Sequence, residues 1–128
     1  SSGDYAKIGS SVDSAKIGSS GYYAKIGSSG DSAQIGSSGY GAQIGSSGDS
    51  AQIGSSGYYA QIVAEGKDAV VASAGPGTSV KGAAGTWISI AEFNSEGKCI
   101  GFATGCIGQD GLLPEVSYIA KNGKLVAA

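Results

Sequence analysis

Asp13, Asp31 and Asp49 stand eighteen residues apart, and Tyr22, Tyr40 and Tyr58 keep the same interval midway between them. Carboxylates repeated at one position of a regular array suit two kinds of chemistry. They hold a file of cations, or they accept backbone N–H groups from neighbouring turns. The second is expected here, with adjoining Gly-Ser-Ser corners as donors, because an unpartnered buried charge is costly. The tyrosines are expected at the opposite edge of the same interior, stacked, with hydroxyls reaching the corner backbone or water. A second constellation, Tyr5, Tyr23 and Tyr59 beside Lys7 and Lys25, forms an outward face that suits a flat partner. Ordinary stacking of exposed tyrosines accounts for the same residues.

Reactive chemistry finds little support. The chain has no histidine, and its two cysteines, Cys99 and Cys106, lack the C-x-x-C spacing of a redox pair. They are expected as two buried structural thiols on opposite faces of one strand. A structural zinc site normally takes four nitrogen or sulfur ligands, which this composition cannot supply. No loop has the glycine-rich form that cradles phosphate. The expectation is no catalytic residue, no metal, no cofactor and no small-molecule ligand.

These residues are positioned by a repeat. Within residues 1–62 isoleucine falls at 8, 17, 26, 35, 44, 53 and 62, and alanine two places before each. A unit such as Gly30-Asp31-Ser32-Ala33-Gln34-Ile35-Gly36-Ser37-Ser38 reads as a strand of about five residues and a four-residue corner, Ala33 and Ile35 sharing one face. The alternation of aspartate and tyrosine doubles the period to eighteen residues, with two strands per coil. The expected fold is all-β: a two-sided parallel β-solenoid whose Ile17, Ile35 and Ile53 ladder faces Ile8, Ile26, Ile44 and Ile62. Calcium-binding β-rolls place aspartate two residues after their second glycine, whereas Asp31 directly follows Gly30. Calcium is not expected as a structural requirement.

Net charge is −2 with 14% charged residues, which lacks the basic footprint of nucleic-acid binding. No apolar run approaches a membrane span. The pattern decays into one degenerate coil at about 63–82, so residues 1–82 are expected as the array. Residues 83–128 are expected as an antiparallel capping unit, carrying the only tryptophan and both phenylalanines. Within it, 87–93 and 98–107 form one hairpin, and 116–121 and 124–127 another, around Asn122-Gly123. The amino-terminal coil has no comparable cover. Its open strand edge predicts a homo-oligomer formed there.

The phrase Ser32-Ala33-Gln34-Ile35-Gly36 resembles the head repeats of YadA-like trimeric autotransporter adhesins, over residues 1–62 only and with longer coils. The chain looks closer to bacterial and phage-associated repeat proteins with Gly-Asp/Tyr-x-Ala-x-Ile-Gly arrays followed by a short β unit, a resemblance that implies no activity. The near-identity of the repeats suits recent duplication or deliberate regularisation. The expected function is a non-enzymatic structural solenoid that self-associates through its open first coil. The alternative is a binding module, adhesin-like, using a flat outer face for carbohydrate or ice. Ser14, Ser32 and Ser50 beside Lys16, Gln34 and Gln52 resemble ice-binding hydroxyl arrays, although those usually display threonine.

Overall fold

The computed structural model describes residues 3–128. The first two residues of the expected array lie outside the described residues. Nine four-residue strands follow at nine-residue intervals: β1 Lys7–Ser10, β2 Lys16–Ser19, β3 Lys25–Ser28, β4 Gln34–Ser37, β5 Gln43–Ser46, β6 Gln52–Ser55, β7 Gln61–Ala64, β8 Val70–Ser73 and β9 Ser79–Gly82. Odd and even strands separate into two sheets, because each coil of eighteen residues supplies one strand to each side. The parallel registers place Ile8, Ile26, Ile44, Ile62 and Val80 in one ladder. Ile17, Ile35, Ile53, Val71 and Ile88 form the other. The protein is a β-solenoid of about five turns, without helix among the described residues.

The strands sit later in the repeat than the sequence pattern predicts. Gly36 and Ser37, expected in the corner, belong to β4, and Ser37 is buried beside Ala33 and Ile35. The chain instead reverses at Gly30-Asp31-Ser32 and Gly39-Tyr40-Gly41. Backbone stacks on backbone there so closely that a Cβ on Gly39 would lie 2.0 Å from the Gly21 carbonyl oxygen. Glycine is therefore required at that corner position. Buried serine tolerates the interior partly by folding back on its own chain, as where Ser73 Oγ accepts the Gly75 N–H at 3.2 Å. The hydroxyls of Ser19, Ser28, Ser46 and Ser55 have no partner among the described residues.

The carboxyl-terminal end is closed by β10 Trp87–Phe93, β11 Cys99–Cys106, β12 Tyr118–Lys121 and β13 Lys124–Ala127. β10 belongs to both parts of the molecule. It pairs in parallel with β8 as the next rung of the solenoid and antiparallel with β11 as half of a hairpin. β12 joins the other sheet through Tyr118, opposite Val80, and pairs with β13 across Asn122-Gly123. Both turn residues have positive φ, 54° and 77°, as that hairpin turn requires. Glu92 clamps the turn from β10: its carboxylate accepts the Asn122 N–H at 2.8 Å and the Gly123 N–H at 2.7 Å. Cys106 is buried but Cys99 is exposed, correcting the expectation of two buried thiols. The pairing of β11 with β10 shifts between Glu92 and Phe93, so strict alternation does not run from Cys106 to Cys99, and Cys99 lies in the exposed stretch 99–102 at the far end of the strand.

Candidate functional site

The two turn-lined edges of the flattened solenoid carry the residues with recognisable chemistry. Each turn is made by the residue after the aspartate or tyrosine, which adopts a left-handed backbone: φ is 58° at Tyr5, 59° at Ser14, 56° at Tyr23, 58° at Ser32 and Ser50, and 58° at Tyr59. That conformation strains a residue with a Cβ. It is held by bonding between coils, since the Tyr23 N–H donates to the Tyr40 carbonyl at 2.7 Å and the Ser32 N–H to the Asp49 carbonyl at 2.8 Å.

This turn overturns the inward placement of Asp13, Asp31, Asp49, Tyr22, Tyr40 and Tyr58. All six are exposed. Side-chain alternation holds only along an extended chain, and the left-handed residue interrupts it before the strand begins. The aspartates do accept backbone N–H groups, but the donors are not the Gly-Ser-Ser corners. Asp13 Oδ1 accepts the N–H of Asp31 at 2.9 Å, Asp31 that of Asp49 at 3.0 Å, and Asp49 that of Lys67 at 2.9 Å. Each carboxylate thus fastens the next coil, and its second oxygen has no partner among the described residues. Among the described residues no cluster of three or more His, Cys, Asp or Glu is disposed to hold a metal ion.

The opposite edge is fastened by rings. Tyr5 stacks on Tyr23 with centroids 5.4 Å apart, and Tyr40 packs against Tyr22, Tyr23, Tyr58 and Tyr59 at 5.4–6.4 Å. Gly41 makes the cluster continuous, for a Cβ there would lie 2.7 Å from the Tyr23 ring. Sequence reading placed Tyr5, Tyr23 and Tyr59 outward and kept Tyr22, Tyr40 and Tyr58 inside. The structure brings both sets onto one exposed edge, with Tyr40 as the hub at 39% exposure. A glycine replacing tyrosine immediately after Tyr40 was the available signal. Lys7 and Lys25 are exposed at the starts of β1 and β3, beside this edge. Tyr5 and Tyr23 lie in the turns rather than on the sheet face.

The outer sheet faces are low. On one, Lys16, Gln34 and Gln52 flank a column of Gly18, Gly36 and Gly54, forming a shallow trough along the rod. The expected Ser14, Ser32 and Ser50 hydroxyl array does not lie on that face, because those serines make the turns. No family model, curated protein or solved structure matches this chain. The fold and its edges define a two-sided β-solenoid repeat protein.

Proposed function

We propose that the chain is a non-enzymatic structural repeat that associates with further copies through its first coil. The observation that carries this reading is the edge of β1, the end strand of the seven-stranded sheet. The carbonyls of Ala6 and Ser10 accept N–H groups from β3's side, at 2.8 and 2.9 Å. By the alternation of a parallel ladder, Lys7 and Gly9 therefore direct their N–H and C=O groups away from the solenoid. Such a row of amides is a template for another strand. Ile8 is only half-buried, whereas Ile26 behind it is 3% exposed.

Val12 restricts how a copy is received. It occupies the place of the corner glycine, and the Cβ of the equivalent Gly30 would lie 2.1 Å from a carbonyl oxygen of the preceding coil. A coil stacked on the first in the array's own register would make the same collision with Val12. Two first coils meeting head to head, with antiparallel β1 strands, are not bound to that register and close as a symmetric dimer. Gly9→Pro tests the reading. Proline at Gly9 removes an outward N–H from an edge strand, and nothing lies within 4 Å of the added Cβ. The expected result by light scattering is a reduced association mass with an unchanged β spectrum. An unchanged mass overturns first-coil association.

A further inference from the structure

We infer that the tyrosine edge of one chain docks on the aspartate edge of a second copy lying antiparallel beside it. The inference rests on the reading of the chain as a self-associating structural repeat, but it uses different surfaces. The two edges have matched spacing by construction. Tyr22, Tyr40 and Tyr58 recur once per coil on one side, and Asp13, Asp31 and Asp49 once per coil on the other, at the strand spacing of about 4.8 Å. The two files also have equal length, because Pro76 ends the first and Lys67 the second.

Their chemistry is complementary. Each aspartate commits Oδ1 to the next coil, leaving the other oxygen without a partner among the described residues. The hydroxyls of Tyr22, Tyr40 and Tyr58 likewise have no hydrogen-bond partner among the described residues, in contrast to Tyr118, whose hydroxyl accepts the Leu113 N–H at 2.6 Å. An O–H donor meeting a carboxylate forms a charge-assisted bond. The aspartate edge is also low, because its left-handed residues are serines, so it receives the ridge of rings.

The ends of the files select the orientation. Asp4 heads the tyrosine file, where its Oδ1 accepts the Tyr22 N–H at 3.0 Å. In the antiparallel arrangement Asp4 faces Lys67, Tyr22 faces Asp49, Tyr40 faces Asp31 and Tyr58 faces Asp13. Every pairing is attractive. Because the contact joins two different surfaces, each added chain presents a fresh edge of either kind. The product is an open raft and not a closed ring.

The test is made in the Gly9→Pro background, which separates lateral docking from first-coil contact. Two further variants of that chain are compared. One carries Tyr22→Asp, Tyr40→Asp and Tyr58→Asp, which the turn accepts because Asp4 already occupies the same file. The other carries Asp13→Asn, Asp31→Asn and Asp49→Asn, whose amide oxygen still accepts the next coil's N–H. Sedimentation of the Gly9→Pro chain should show a concentration-dependent series that passes beyond the dimer. Each triple variant alone should associate at least about tenfold more weakly. Mixed, they should form assemblies of at most three chains, since the first variant has two acidic edges and the second a single tyrosine edge. A monomeric Gly9→Pro chain, or variants that associate as the parent does, overturns lateral docking. So does a mixture that restores nothing, or a tyrosine edge that captures glycans in a chain that stays monomeric. First-coil association stands or falls separately, on the difference between the parent chain and Gly9→Pro.

Discussion

Gly41 and Gly45 are near neighbours in one repeat and carry opposite consequences for substitution. Gly41 sits at φ 70° beneath the Tyr23 ring, so a methyl group there meets both backbone strain and an aromatic face. Gly45 lies in extended β5 with nothing within 4 Å of an added Cβ, and Val63 and Lys81 fill the same column in the next coils. Gly41→Ala should cost about 1–2 kcal/mol from the left-handed conformation alone. Gly45→Ala should be neutral or stabilise by up to about 1 kcal/mol, by reducing the freedom of the unfolded chain. Urea titrations of the two variants check the contrast, and equal effects would contradict the ring-over-glycine packing. The same scale explains why aspartate and tyrosine alternate without disturbing the coil. One fastens the next turn through a carboxylate and the other through ring contacts, and neither enters the core.

Between elements, the cap is held by a few specific joints. Glu92 is the clearest, because one carboxylate receives two turn amides from a hairpin thirty residues later. Glu92→Ala should loosen β12 and β13 by about 1.5–3 kcal/mol, the range for hydrogen bonds to a charged group. Amide hydrogen exchange should show the loss at 118–127 while β3 to β6 keep their protection. A uniform change across the chain would contradict a local clamp. The strand partners at this level were legible in the sequence: the eighteen-residue period fixes the isoleucine ladders, and Asn122-Gly123 marks its hairpin. The phase of the strands was not. Asp31, Ala33, Ile35 and Ser37 share one parity, so alternation alone does not say whether the buried run takes in the aspartate or the serine. The turn chose the serine. It did so by placing Ser32, a non-glycine residue, in the left-handed region, which residue type alone does not announce. Both candidate files were visible as periodicities for this reason, yet their side of the wall was not.

At the scale of the whole molecule, the two modes of association differ in their electrostatics. A head-to-head meeting of first coils brings together Asp4, Lys7, Asp13 and Lys16 of each copy, charges that cancel within the coil. The contact therefore forms against the like net charge of the two chains, −2 each. Lateral docking instead sets Asp13, Asp31 and Asp49 against tyrosine hydroxyls, with Asp4 facing Lys67. Raising ionic strength from about 0.01 M to about 0.1 M shortens the screening length from about 30 Å to about 10 Å, enough to separate the two. A chain that keeps Gly9 and carries Tyr22→Asp, Tyr40→Asp and Tyr58→Asp retains the first coil at a still more negative net charge, so its association should strengthen with salt. The Gly9→Pro chain retains only the edges, so its association should weaken over the same range. The unmodified chain should then show a shallow dependence in which the two trends oppose each other. Sedimentation equilibrium of all three chains across the salt series measures both signs at once. If both variants respond in the same direction, the separate charge character assigned to the coil end and to the edges is wrong.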